Sequence, residues 1–204
     1  MVKEDKTKRG EKRKMKLIIA SNNQHKIREI KKILGEKFEQ IVSLREAAID
    51  HETVEDGKTF LENARKKALE IAEISGCAAL ADDSGICVDA LGGAPGIFSA
   101  RFAGEHGNDQ ANNDLLLEKL SGKSERGAHY TCAMVLAYPD GKTVEAEGYF
   151  YGTITEHPRG ERGFGYDPLF VPVGSSRTVA EYSDDEKNAI SHRAAALKEL
   201  LLKL

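Results

Sequence analysis

The sequence has no long apolar run, no excess of positive charge and few cysteines, and each absence removes a class of function. Its uninterrupted hydrophobic stretches span only a few residues, against the roughly 20 needed to cross a bilayer. No apolar signal-peptide core stands near Met1, so a cytoplasmic protein without a membrane partner is expected. Cys77, Cys87 and Cys132 are an odd number, with no C-x-x-C pair and no histidine close enough to suggest a zinc site. Reduced thiols without a catalytic role are the expectation. A formal net charge of −3 offers no global field for nucleic acid, so a polyanionic partner needs a local cluster of cations. There is no internal repeat and no low-complexity linker. Neither the glycines of a P-loop nor those of a dinucleotide-binding fingerprint are present. What remains is a chain of 204 residues, 40% hydrophobic and 31% charged, which is the composition of one folded unit.

Residues 1–14 are polar and rich in basic groups, and read as a disordered tail or a start-site extension. Met15 opens a strand pattern, and residues 15–204 are expected to form a single domain. Leu17-Ile18-Ile19-Ala20 is a short apolar run that leads through SNN into QHKIREIKKIL, where Ile27, Ile30, Ile33 and Leu34 share a helical face. Thr59 and Glu62 predict a capping box for a second helix with an apolar stripe of Leu61, Ala64, Ala68, Ile71 and Ala72, ending near Ser75-Gly76. A third helix is predicted over 109–120, two strands over 128–137 and 143–151 joined at Pro139-Asp140-Gly141, and a last helix from Ser191 that buries Leu197, Leu200, Leu201 and Leu204. The pattern predicts a mixed α/β fold.

Four segments carry chemistry. At Ser21 to Lys26 a strand enters a helix through small polar residues, so free helix amides and the Lys26 charge suit a phosphate; a plain helix cap with a solvated Lys26 is the other reading. ADDSG, residues 81–85, sets two aspartates where a buried strand is expected to end. Adjacent strand residues face opposite ways, so Asp82 and Asp83 do not share a ligand, and a surface Asx-turn is the alternative. Glu55, before the second helix, is a further oxygen donor, and Mg²⁺ uses only one or two protein carboxylates beside substrate phosphates. Lys67 borders the apolar stripe and faces a cleft, whereas Lys66 faces solvent. GFGYDP, with Phe164, Gly165, Tyr166 and Asp167, can stack on a base and read its edge, or form a structural turn. Lys187, His192 and Arg193 gather near the last helix as ligands or as a solvated cap.

In this order and at these spacings, SNNQHK, EDGKTFLENA, ADDSG, LGGAPGIFSARFAG, GFGYDP and EKNAISHR resemble the Ham1/RdgB-like inosine/xanthosine triphosphate pyrophosphatases from Met15 to the C-terminus. The resemblance implies an elongated mixed sheet flanked by helices, two lobes with a cleft between them, and a homodimer. It implies attack of water on the α-phosphorus of noncanonical purine nucleotides (ITP, dITP, XTP), with Mg²⁺ as cofactor. On this chain, Ser21, Asn22, Asn23, Gln24, His25, Lys26 and Lys67 would bind the triphosphate. Asp83 would activate water or hold the metal, with Glu55 assisting at Mg²⁺ and Ser84 touching substrate. Phe164, Gly165, Tyr166, Asp167, Lys187, His192 and Arg193 would surround the nucleotide, and Asp82 would brace the turn. Two departures stand out: GER at residues 160–162, where Glu161 and Arg162 bring charge toward the base, and Asn22 in place of a glycine. A Maf-like pyrophosphatase with another base preference and a non-hydrolysing nucleotide sensor are the rival readings.

Overall fold

The computed structural model describes residues 13–35 and 37–204; the tail predicted over residues 1–14 falls almost wholly outside them. The first strand, β1 (Arg13–Ile19), begins two residues before Met15. It is followed by α1 (Gln24–Leu34), β2 (Phe38–Ser43), α2 (Phe60–Ser75), β3 (Ala78–Val88), the 3-10 helix Gly96–Arg101, α3 (Asp109–Lys119), β4 (Gly127–Ala137), β5 (Thr143–Ile154), β6 (Phe170–Pro172), α4 (Asp184–Ile190) and α5 (His192–Leu202). The strands form one mixed sheet in the order β2-β1-β3-β4-β5-β6, so the α/β class read from the sequence is the observed one.

β2, β1 and β3 run parallel, and β4, β5 and β6 continue the sheet antiparallel. Side chains alternate between two cores. One face packs Leu17, Ile19, Leu80, Met134 and Leu136 against α1 and α5. The other packs Ile18, Ala79, Ala81, Ala133 and Val135 against Ala64, Ala68, Ile71 and Ala72 of α2. A third cluster at the far end of the sheet joins Ile86 and Val88 to Leu116, Tyr166 and Phe170.

β1 stops at Ile19, opposite Leu80, while β3 runs on beside β4 alone. With α1 and α2 on opposite faces, a crevice opens at the carboxyl end of β1, the kind of place where open α/β sheets bind ligands. The strand predicted to end at ADDSG therefore does not end there: Asp83 pairs with Ala133, Gly85 with Thr131, and the ladder persists to Val88. Ser84-Gly85 looks like a turn only locally. Gly85 serves close approach, since a Cβ would collide with Ser99 and the Gly96 carbonyl.

Thr59 accepts the Glu62 amide at 3.1 Å, but the Glu62 carboxylate takes the Lys58 amide at 2.7 Å, so the predicted capping box is only half formed. Ser191 caps α5 as predicted and also ends α4, a helix that the sequence reading did not identify. α5 lies so close to β5 that a Cβ at Gly148 would meet backbone atoms of His192 and Ala196. Gly148→Ala is expected to lower stability by about 1–3 kcal/mol, measured by urea unfolding; an unchanged midpoint would exclude this tight seat.

Candidate active site

Alternation along β3 sends the two aspartates into different surroundings. Asp82 follows the parity of Leu80 and points to the α1/α5 side; Asp83 follows Ala79 and Ala81 and points to α2.

On the first side, Asp82 Oδ2 lies 3.1 Å from Lys26 Nζ and 3.1 Å from Arg193 Nη2. Arg193, with no solvent exposure, also donates to Glu29 and, at 3.0 Å, to Ser84 Oγ. Burial alone would raise the Asp82 carboxyl, but Lys26, Arg193 and Lys67 outweigh it and hold it well below the carboxylate range. The role predicted for Asp82, bracing a turn, is corrected: there is no turn, and the carboxylate braces two helices through their cations.

On the other side, Asp83 Oδ2 accepts the Asn63 side-chain amide at 3.0 Å, and Oδ1 accepts the Ser84 amide at 2.9 Å. Lys67 Nζ is 3.9 Å from Asp83 Oδ1 and bonds Glu55, whereas Lys66 pairs with exposed Asp56. Burial raises the Asp83 carboxyl despite Lys67 and Lys26. The reading of the sequence missed Asn63, whose Oδ1 also takes the Gly57 amide at 2.8 Å and so ties the Glu55 segment to the aspartate. The signal was an asparagine inside the apolar stripe, four residues before Lys67.

The turn at Ser21 to Lys26 caps itself. Asn23 Oδ1 accepts the His25 and Lys26 amides at 3.0 and 3.2 Å, so two helix donors are already engaged. Ser21, Asn22, Asn23 and Lys26 line the cleft, Gln24 and His25 do not, and Lys26 is an ion-pair partner rather than a solvated charge. Asn22 does not take a positive φ, so nothing in this backbone calls for glycine there.

In the 163–167 loop, Phe164 stacks on His25 with ring centroids 4.9 Å apart and has Lys187 Nζ 4.3 Å from its ring centroid. Tyr166 is buried, its hydroxyl donating to the Ser99 carbonyl at 2.8 Å, so Phe164 is the aromatic available for stacking. Both Asp167 oxygens serve the protein: Oδ2 accepts the Phe164 amide at 2.9 Å and Lys187 at 2.7 Å, and Oδ1 accepts Tyr130 at 3.4 Å. Asp109 and Asn113 of α3 clamp Gly165 through its amide and carbonyl. His192 stacks on Tyr130 at 4.7 Å, and its buried Nδ1 has no hydrogen-bond partner among the described residues. Burial, then Arg193 and Lys187, push the imidazole well below its usual pKa, so it is neutral.

Ser21, Lys26, Glu55, Lys67, Asp83, Phe164 and His192 are among the groups that line one cavity of about 650 Å³, a size suited to a small-molecule ligand. The sequence matches the Ham1 family over residues 17–203. The chain belongs to the Ham1 family. A dITP/XTP pyrophosphatase of Clostridium perfringens is 52% identical over 193 residues, covering 91% of this chain and 95% of that protein. The Ham1 protein of Coxiella burnetii superposes with a TM-score of 0.84 at 37% identity, covering 93% of this chain and all of that one. The Staphylococcus aureus Ham1 protein superposes with a TM-score of 0.82 at 39% identity, covering 92% and 98%.

The two aspartates call for opposite outcomes. Asp82→Ala leaves the buried Arg193 and the partly buried Lys26 beside a lost counter-charge and is expected to cost about 3–5 kcal/mol in chemical denaturation. Asp82 and Glu29 both have carboxyls held below their ordinary values. The stability they contribute is therefore complete above the unfolded-state range near pH 4 and is lost as pH falls through their lower folded values. Acid unfolding of the unsubstituted protein, followed by circular dichroism, checks this sign.

Proposed function

We propose that this Ham1-family hydrolase converts ITP, dITP and XTP to the monophosphate and pyrophosphate, removing noncanonical purines from the nucleotide pool. The observation that carries the reading is the Glu55–Lys67–Asp83 array at the crevice where β1 ends and β3 continues. It sets two carboxylates and a lysine in the lining of a cavity that Phe164 also lines.

The oxygen donors fit a divalent metal. No group of three or more acidic, His or Cys side chains poised for a metal occurs among the described residues; Mg²⁺ commonly takes only one or two protein carboxylates, together with phosphate oxygens and water. Glu55 and Asp83 would hold Mg²⁺, which when bound supplies charge neutralisation at the phosphates. Lys26 and Lys67 bind the triphosphate, and Ser21 and Asn22 add hydrogen bonds at the turn. Asp83 orients the attacking water and takes its proton; the upward shift that burial gives its carboxyl belongs to the metal-free site. The oxygen of that water bonds the α-phosphorus as the bond to the α–β bridging oxygen breaks, and pyrophosphate departs. Phe164 stacks on the base. A site that hydrogen-bonds a 6-oxo group leaves buried polar groups unpaired against the 6-amino group of adenine, which rejects ATP. The neutral His192, with an unpartnered buried nitrogen, supports a role in reading that edge. The homodimer implied by the family resemblance belongs to the same reading, as does a cytoplasmic location; no described helix is long and apolar enough to cross a membrane.

Incubation with Mg²⁺ and, separately, ITP, XTP, ATP and GTP is expected to release monophosphate and pyrophosphate from the first two and little from the others. Orthophosphate and diphosphate would place the attack at the γ-phosphorus and overturn the reading. Asp83→Asn is expected to abolish turnover while nucleotide still binds. Because the folded state disfavours the Asp83 charge, the variant should be as stable as the parent at neutral pH, or more so; retained turnover would remove Asp83 from the chemistry.

A further inference from the structure

The cleft carries one full charge that the chemistry above leaves unused. Arg101 ends the 3-10 helix Gly96–Arg101 and lines the same cavity as Lys26, Lys67 and Asp83. Every other lysine or arginine in that lining is already committed. Lys26 pairs with Asp82, Lys67 with Glu55 and Asp83, Lys187 with Asp167 and Glu29, and Arg193 with Asp82 and Glu29. Among the described residues Arg101 has no carboxylate at ion-pair distance. Its guanidinium instead rests over the Phe98 ring, 5.3 Å from the centroid, a contact that orients the side chain without neutralising it.

The backbone that presents Arg101 is fixed on three sides. Ser99 Oγ accepts the Ile86 amide at 2.9 Å and donates to the Gly96 carbonyl at 2.6 Å, which seats the 3-10 helix on β3 where Gly85 leaves room. The Tyr166 hydroxyl holds the Ser99 carbonyl, joining this helix to the loop that carries Phe164. Beyond Arg101, Asn112 of α3 accepts the Ala103 amide at 2.8 Å, and the Ala100 carbonyl accepts the Gly107 amide at 2.7 Å. An arginine held in this way, half-buried in the lining that also carries Glu55, Asp83 and Lys67, is placed for an anion that arrives from outside.

We propose that Arg101 binds the part of the triphosphate that leaves as pyrophosphate, through a guanidinium–phosphate pair that requires no existing ion pair to break. A planar guanidinium matches two phosphate oxygens at once, and an uncommitted cation gains the full charge-assisted bond. Lys26 and Lys67 must share theirs with the carboxylates they already hold. The assignment rests on the triphosphate reading of the cleft, and the experiment separates the two.

Arg101→Gln and Arg101→Lys are compared with the unsubstituted protein for turnover of ITP and for competitive inhibition by inorganic pyrophosphate and, separately, by inosine monophosphate. In Arg101→Gln, kcat/KM is expected to fall by about 10- to 100-fold and the pyrophosphate inhibition constant to rise by a similar factor. Inhibition by the monophosphate and the thermal midpoint should stay unchanged. Arg101→Lys should recover part of the loss, because it restores the charge and not the fork. Unchanged inhibition by pyrophosphate, or an equal loss of affinity for both products, overturns the assignment. Failure of the unsubstituted protein to release pyrophosphate from ITP overturns the hydrolytic reading instead. Direct titration with pyrophosphate then decides Arg101 separately, and equal affinity of parent and Arg101→Gln overturns it.

Discussion

One buried carboxylate holds this fold in register with its site. Asp82 Oδ2 is shared by Lys26 from α1 and Arg193 from α5, at 3.1 Å each, and Glu29 answers the remaining charge of Arg193. Removing such charges from water costs several kcal/mol per ion, so the knot is weak evidence for stability as such. Its value is positional. The partners come from distant parts of the chain, and only one placement of α1 and α5 on the sheet pairs them all. That placement sets the turn at Ser21 to Lys26 against the end of β1 and seats His192, the residue before Arg193, against Tyr130.

The alternation of β3 then divides labour between neighbours. Asp82 and Asp83 are adjacent in sequence, yet their carboxyls move in opposite directions from the ordinary value. Three cations around Asp82 overcome its burial. Asp83 meets an amide and a lysine already shared with Glu55, and there burial wins. Environments that drive two like groups apart are how one site obtains a fixed charge and a proton acceptor from the same residue type. Here the separation requires only that β3 stay extended past the last residue of β1.

That continuation is also where local sequence reading fails. Helical stripes revealed α1, α2 and α5, each of which buries one face, while stop and turn signals marked α3 and the β4–β5 hairpin. The same reasoning put Lys67 toward the cleft and Lys66 toward solvent. Ser84-Gly85 is compatible with a turn by composition, and nothing local reveals that β4 lies alongside to keep it extended. β2, β6 and α4 escaped for similar reasons: the first two are short, and α4 is a seven-residue helix with acidic residues through its first turn. Among site residues, Asn63 and Arg101 lie inside recognisable motifs and Glu29 outside them, yet all three gain meaning only from partners, or from the lack of one, far away in sequence. Asp167 shows the converse. It sits in a recognisable motif, but its two oxygens turn inward to Phe164, Lys187 and Tyr130.

The internal pairing explains how a cleft with so many charges can hold its shape. Polar groups that are already oriented by the protein need little rearrangement when charge develops nearby, and this preorganisation is the main electrostatic advantage of a folded site over water. Lys67 is held by Glu55 and Asp83, Asp83 by Asn63, and Asn63 by the backbone of Gly57, so α2 fixes one wall as a unit. Tyr166 and Ser99 link the opposite wall to β3 through a single chain of hydrogen bonds, with Asp109 and Asn113 bracing the loop from α3. Both walls are therefore referred to the same strand, the one whose two aspartates face apart. A displacement of β3 would move the charge knot, the Asp83 carboxylate and the aromatic loop together, and their mutual geometry would survive motions that would misalign groups carried on independent loops.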